Sequence, residues 1–485
     1  MYVIIENNYN MSQQIKADYT KTYLLPPSLE DWVSENHPVR FIREFVESLS
    51  LKKLGFKVEN NTEGRPFYSS DIMLKIWLYG YFNKVRSSRE LEKQTRENIG
   101  LLWLIGMERP DHNTIWRFWK NNKQSLRKVF KEAVITADKL DLIGMVLNAI
   151  DGTKIKSYSS NTGLRRKEEL EKILTAIEDS INAMTKEVEE REKTEVGSYS
   201  LPEDLQERSK LKEKIQKALE QHTKNDKGQI NPNEHEARVM LNNGRKELSY
   251  NAQAVVDSKN GLIVSAEVVN ESGDAQQLVP MIDSVKETTG RVAEENLADG
   301  GYGAAEQIGT ADEKGYNVLV NLTGKANLKQ REDDPYHASN FKYDKENDVM
   351  LCPENKELTY CKTIDSNNKR YKVRLYRTNK TDCKECKAKD ICVRKKSRKV
   401  ITLSPYHESI ERQRLLNKEA TSIEKLKRRK AIVEPIFGII KHAHNFRRFT
   451  YNGMENVKTQ WSMMCTAVNL RKLYTKWSIN EIKFA

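Results

Sequence analysis

Short apolar runs constrain this chain most, because they come in an order that few folds accept. MVLNAID (145–151) reads as a buried strand closing on an acid, with Gly152 behind it. SYNAQAVVD and LIVSAEVVN follow as two more strands. Between them, Ser258-Lys259-Asn260-Gly261 predicts a β-hairpin with an Asn-Gly turn. SGDAQQLVPMIDSVKET predicts a helix with Ser272 or Asp274 near its cap, and ENLADGGYG a short strand ending at Asp299. A further helix (AAEQIGTADEKG) and a strand (YNVLVNL) complete the set. Strand, hairpin, helix, strand, helix, strand predicts an α/β fold with a mixed sheet and flanking helices. Ligands of such sheets collect beyond strand ends, where Asp151 and Asp299 are both expected.

Helical patterns precede this core. Residues 21 to about 140 repeat apolar residues at helical spacing, as in Val39, Ile42, Phe45, Val46 and Leu49 after a break at Pro38. Ser69 or Ser70, and Ser87 or Ser88, stand where helix caps are expected, and PDHNTIWRFWKNNKQSL is a fourth helix. Arg86, Arg89, Arg117 and Lys120 are expected on exposed sides, from which such a set could dock on DNA in the helix-turn-helix manner.

Two insertions interrupt the sheet pattern. In the first, Leu170, Ile173, Ile177, Ile181, Met184 and Val188 repeat at three or four, and Leu201, Leu205, Leu211, Ile215 and Leu219 repeat after EVGSYSLP. That predicts an antiparallel helical hairpin with a structural role. The second holds Cys352 and Cys361, then Cys383, Cys386 and Cys392 in TDCKECKAKDIC. The C-x-x-C knuckle has zinc-ligand spacing, with Cys352 or Cys361 as fourth ligand; the alternative is a set of reduced thiols. TYCKTI and YKVRLYR would flank it as a small β-ribbon, with Lys384, Lys387 and Lys389 near DNA. Cys465 reads as a core residue, and the histidines as structural or phosphate-contacting.

A net charge of +13 across 485 residues favours a polyanionic partner. No run of about 18 apolar residues predicts a membrane span. The first twenty residues lack the parts of a signal peptide, and Met1 or Met11 could be the start. The cysteine content does not read as a secreted disulfide scaffold, so a reducing cytosol is expected.

Within RRKAIVEPIFGIIKH, Glu434 is the lone acid among Arg428, Arg429, Lys430, Lys441 and His442. Glu434 and Lys441 are seven apart, so an unbroken α-helix would set both on nearly one face. Pro435 would sit in a first turn or kink the helix. Asp151 and Asp299 brought together would repel unless a cation neutralised them, and Mg²⁺ or Mn²⁺ suits all-oxygen ligands. With Glu434 as third ligand, two such ions about 3.5–4 Å apart would activate water or a 3′-hydroxyl at a phosphodiester.

The chain resembles bacterial insertion-sequence transposases of the DDE type, whose catalytic domain is ribonuclease-H-like. The resemblance rests on IDGTKIK, LADGGYG, VEPIFGIIKH with FRRF, and the N-terminal LKIWLYGYFNKVRSSRELE and RPDHNTIWRFWK. It implies Asp151, Asp299 and Glu434 as catalytic, Mg²⁺-binding acids and Lys441 as a DNA contact, with Arg428, Arg429, Arg447, Arg448 and Arg117 around it. Lys427 and Lys430 stand where some relatives carry tyrosine and arginine, a change that loses an aromatic ring and a planar fork. The implied organisation is a helical DNA-binding region over 1–140 and a catalytic domain over 141–480. The catalytic domain is interrupted by the hairpin at 160–235 and the cysteine-containing β insertion at 326–405. The implied activity is metal-dependent cleavage at terminal inverted repeats and joining of 3′-hydroxyls to target DNA. A homodimer on paired ends would do this in the bacterial cytoplasm, at the nucleoid. The rival readings are a DNA-binding protein that no longer cuts and a nuclease that cuts without joining.

Overall fold

The computed structural model describes residues 28–58, 67–192, 203–225, 228–242, 244–322, 334–367, 369–394 and 396–484. Residues 1–27, the EVGSYSLP break with Leu201, and the side chain of Val188 lie outside the described residues. So does the start of the second insertion at 326.

The N-terminal helices are α1 (Leu29–Trp32), α2 (Pro38–Glu47), α3 (Leu51–Leu54), α4 (Ser70–Phe82), α5 (Ser88–Glu97), α6 (Ile99–Leu104), α7 (His112–Asn121) and α8 (Lys123–Lys139). Pro38 opens α2 at its first position, where the missing N–H is no loss, and His37 Nδ1 accepts the Val39 N–H (3.2 Å). The predicted fourth helix is two helices, α7 and α8, that meet at Asn122. Helix α6 escaped the sequence reading because its six residues are too few to show a period.

The central sheet has strands β1 (Leu147–Lys156), β2 (Arg238–Asn242), β3 (Arg245–Asp257), β4 (Ile263–Val269), β5 (Glu295–Ala298) and β6 (Val318–Val320). Helices α9 (Lys167–Glu192) and α10 (Glu203–Asn225) separate β1 from β2, α11 (Leu278–Thr289) separates β4 from β5, and α12 (Ala305–Glu313) precedes β6. The strands lie in the order β4-β3-β1-β5-β6 with β2 also on β3; β3 is antiparallel to β1, and β5 and β6 are parallel. This is the mixed sheet of the ribonuclease-H-like architecture. The β3–β4 loop differs from the expected Asn-Gly turn. Asp257 N–H bonds Leu262 O, which makes a four-residue loop in which Gly261 alone takes positive φ (64°). The β2–β3 hairpin was not read in the sequence.

Edge strand β6 is closed by side chains. Helix α15 (His407–Leu416) follows two short helices, α13 (Lys380–Lys384) and α14 (Lys389–Cys392). On α15, Gln413 donates to Val318 O (2.6 Å) and accepts Val320 N–H (3.1 Å). Asn417 does the same for Val320 O (2.9 Å) and Leu322 N–H (3.1 Å). The amides stand in for a missing strand, so the edge offers no template for further pairing.

Helix α16 (Ala420–Gly438) lies across β1, β3, β5 and β6, and α17 (Met454–Trp477) packs on β4 and on α4 and α8. One hydrophobic core therefore runs from Phe41, Trp77 and Trp119 of the N-terminal helices through Trp461 and Met464 into Ile150 and Val255 of the sheet. The N-terminal helices are built onto the sheet region. Arg86, expected on an exposed side, shows this: it is half-buried, donates to His444 O (2.9 Å) and Asn445 O (3.3 Å), and lies over the Phe446 ring. Burial pulls its affinity for a proton down. Arg89, Arg117 and Lys120 are exposed.

The first insertion is a two-helix arm. Leu170 and Ile177 of α9 and Ile215 and Ala218 of α10 bury one seam, and Glu178 pairs with Lys212 (3.0 Å), which fixes an antiparallel register. The second insertion exceeds the expected ribbon. Strands β7 (Lys342–Asp344), β8 (Val349–Leu351), β9 (Glu357–Asp365), β10 (Lys372–Arg377) and β11 (Val400–Leu403) form one antiparallel sheet in the order β11-β10-β9-β8-β7. No helix among the described residues is long and apolar enough to cross a membrane.

Candidate active site

Asp151 is not at a strand end. Strand β1 continues to Lys156, because Thr153 and Ile155 bury alternate positions and β3 pairs it throughout, Asp151 opposite Ala254. What ends near Asp151 is its other neighbour. The β1–β5 pairing runs from Leu147–Glu295 to Ala149–Leu297, and β5 stops at Ala298. Continuing that register sets Asp151 level with Asp299, which caps the 3-10 turn Gly300–Tyr302 by accepting Gly301 N–H (2.7 Å). The acids are thus juxtaposed by register.

Asp151 Oδ1 accepts its neighbour's N–H, from Gly152 (2.8 Å). Its Oδ2 is 3.1 Å from Arg429 Nη1, a pair in which the arginine is 7% exposed and the aspartate 18%. Burial pushes the Asp151 carboxyl above its ordinary range. Arg429 and the Gly152 N–H oppose this, and the charge of Asp299 adds to it. Arg429 was expected to face DNA. It is instead buried in α16 with Val433 and Ile436, because the helix turns that side to the sheet.

Asp274 is the acid whose contacts the sequence reading missed. It lies three residues before the Gln277 cap of α11, and its carboxylate turns away from the helix. Asp274 Oδ1 accepts from Asn251 Nδ2 (2.7 Å) and Gln253 Nε2 (2.7 Å), with Lys154 Nζ at 3.4 Å. Gln253 in turn accepts the buried Tyr302 hydroxyl. Asn251 and Gln253 alternate on β3 and Lys154 pairs opposite Asn251 on β1, a polar stripe along one face. That stripe was the available signal.

Glu434 lies on α16, exposed, five residues beyond Arg429. Among the described residues, no three acids, histidines or cysteines stand together as ligands of one ion, so Glu434 does not share a ready-made cluster with Asp151 and Asp299. Pro435 falls in the interior of α16, since that helix begins at Ala420. A π-helical turn (Ile439–Ala443) follows, closed by His444 N–H to Ile439 O (2.9 Å). Lys441 sits inside this wider turn, so the 100° spacing that would align it with Glu434 does not apply. Lys441 is half-buried; burial, then Lys154 and Arg447, hold its ammonium below the ordinary range.

The segment after the π turn docks on β1. Lys156 N–H donates to Arg447 O (3.2 Å) and Phe449 N–H to Lys156 O (2.9 Å). Phe446 and Phe449 are buried edge-to-face, which leaves Arg447 and Arg448 exposed. Helix α7 abuts this segment through Trp116 against Tyr451 (4.6 Å between rings) and carries exposed Arg117. Arg428 is exposed on α16. His37 caps α2, His112 pairs with Glu92 (2.8 Å), and His442 Nδ1 accepts from Arg447 Nη2 (2.9 Å).

The donors fit a hard divalent cation. Asp151 and Asp299 are carboxylates side by side in a partly buried place, and Asp151 already holds a cation, Arg429. Cys352, Cys383, Cys386 and Cys392 surround a separate cavity in the second insertion; Cys361 is not among its lining residues. Cys465 is fully buried in α17.

Comparison with known families gives two matches. The family described as Transposase DDE domain matches residues 351–474, which include Glu434 and the four cavity cysteines. The family described as Transposase domain (DUF772) matches residues 27–121. No curated protein matches the chain. Helices α1 to α7 fall in the second match, and β9 through most of α17 in the first. Neither match spans half of the chain, and together they indicate an insertion-sequence transposase of the DDE type.

Proposed function

We propose that the chain cuts DNA at the terminal inverted repeats of its own mobile element and joins the freed 3′-hydroxyls to target DNA. The observation that carries this is the register that sets Asp151 level with Asp299 under α16, the helix bearing Glu434. Asp151, Asp299 and Glu434 would hold two Mg²⁺ or Mn²⁺ ions, which when bound supply an activated water or 3′-hydroxyl and stabilise the leaving oxygen. Arg429 opposes the burial of Asp151 and so favours its ionised, ligating form. Asn251, Gln253 and Lys154 hold the Asp274 carboxylate in place beside Gly152. Exposed Arg447 and Arg448 at the end of β1, Arg428 on α16, Arg117 on α7 and half-buried Lys441 would bind phosphates around the acids. Two copies would pair the two ends, in the cytoplasm and at the nucleoid.

The test is strand joining. DNA carrying the sequences that flank the gene is incubated with the protein, Mg²⁺ and a supercoiled target. Joined products establish the reading. Nicks without joined products would reduce it to a nuclease, and binding without nicks to a DNA-binding remnant.

A further inference from the structure

The five-stranded insertion is short of core. Among the described residues its hydrophobic cluster has six buried members, Phe341, Met350, Leu358, Tyr376, Ile401 and Leu403, for a sheet of five strands, with Val373, Cys383, Ala388 and Val393 buried beside it. Modules with so little buried surface usually need a disulfide or a metal. Helices α13 and α14 add to the difficulty. They are five and four residues long, and isolated helices of that length do not hold in water. Something must fix them to the sheet, and all the cysteines are free thiols.

The cysteines mark where. Cys352 comes from the β8–β9 turn, Cys383 and Cys386 from α13 and its end, and Cys392 from α14. They line one cavity of about 20 Å³, room for a single small occupant. The cavity lies between the sheet and both short helices, where one bond to each would tie them together. Cys361 belongs to β9 and does not line it.

Polar and charged groups approach three of the four sulfurs. Lys356 N–H points at Cys352 Sγ (3.2 Å) in a tight turn where Asn355 takes φ 56°. The Thr378 hydroxyl lies 2.9 Å from Cys383 Sγ. Lys399 lines the same cavity, anchored by Tyr336 O (2.7 Å), and brings a positive charge beside Cys392. A backbone donor at one sulfur, a hydroxyl at a second and a cation beside a third are the kind of surroundings a metal–thiolate site needs.

We propose that this cavity is a structural zinc site with Cys352, Cys383, Cys386 and Cys392 as its four ligands. Tetrahedral four-sulfur coordination with a C-x-x-C pair is zinc's preferred structural form. Among the described residues the four thiols do not form a ready-made ligand set, and zinc would draw each sulfur to about 2.3 Å from itself. The site anchors α13 and α14 to the sheet and takes no part in strand cleavage.

The test uses the full chain without a histidine tag. Metal content is measured after exhaustive dialysis, and the purified protein is also reconstituted with Co²⁺. The expected result is one equivalent of zinc, released by a mercurial, and the intense visible bands of cobalt in a tetrahedral thiolate site. Cys386→Ser and Cys352→Ser lose the metal, whereas Cys361→Ser keeps it. The proposal is overturned by a dialysed wild-type protein without zinc, by cobalt spectra lacking thiolate bands, or by zinc retained in Cys352→Ser and Cys386→Ser. The cobalt spectrum is read on unmutated protein, so misfolding of a variant does not decide the matter.

Discussion

Replacing Arg429 by methionine should destabilise the protein, and the loss should depend on pH. Methionine keeps most of the length and apolar contact of the arginine but removes its charge. The pair it breaks is largely buried, at 3.1 Å. Breaking such a pair costs about 3–5 kcal/mol while the remaining group stays ionised. Asp151 has an escape, because it can take up a proton. Starting from an unfolded value of about 3.9, protonation costs about 5–6 kcal/mol at pH 8 but only about 1.5 kcal/mol at pH 5. The ionic penalty is therefore felt in full at pH 8 and limited to about 1.5 kcal/mol at pH 5. The sign follows from burial. Asp151 is already raised in the folded protein, and losing Arg429 raises it further, so the folded state binds more protons than the unfolded. Stability is retained below the unfolded value and lost as pH rises through the folded one. Urea unfolding of wild type and Arg429→Met in EDTA, at pH 5 and pH 8, measures this. Equal losses at both pH values would refute the reasoning, as would no loss at pH 8.

Two further outcomes are expected. A Cβ at Gly152 would overlap the Gln253 amide and come within 2.8 Å of Asp274 Oδ1 and 3.0 Å of Asn251 Oδ1, all tied to one another. Gly152→Ala should thus cost about 1–3 kcal/mol in thermal or urea unfolding, whereas Gly273→Ala, with open space around it, should cost little. His444 is buried with Nδ1 unpartnered and is held down to about 4, first by burial and then by Arg471, Lys84 and Arg86. Its folded value is depressed, so stability is lost as pH falls from about 6.5 towards 4; at pH 5 the loss is about 2 kcal/mol. His444→Leu should remove that part of the difference between unfolding at pH 7 and pH 5.

The succession of elements from β3 to β6 and the place of Asp299 were legible because apolar runs, glycines and acids mark them locally. Asp151 was read as the end of a strand, but the strand runs on to Lys156. Sequence shows where hydrophobicity stops, and Lys154 and Lys156 look like a strand's end. Pairing with β3 carries the strand through them. Arg429 was indistinguishable from Arg428 within a basic run, and only the docking of α16 decides which side is buried. The π turn that moves Lys441 has no periodic signature either, since its single wide turn follows a proline inside a helix. Ser272 or Asp274 was placed near the cap of α11 because serine or aspartate before a helix usually serves there. Asn251 and Gln253, distant in sequence, claim Asp274 instead.

The most direct measurement of the central claim is nicking by single-acid variants. Wild type, Asp151→Ala, Asp299→Ala and Glu434→Ala are compared on DNA carrying the ends of the mobile element, with Mg²⁺, alongside their DNA affinities. The account predicts that wild type nicks at the ends and that each variant binds as tightly but does not cut. Undiminished nicking by any of the three, and by Glu434→Ala above all, would contradict it.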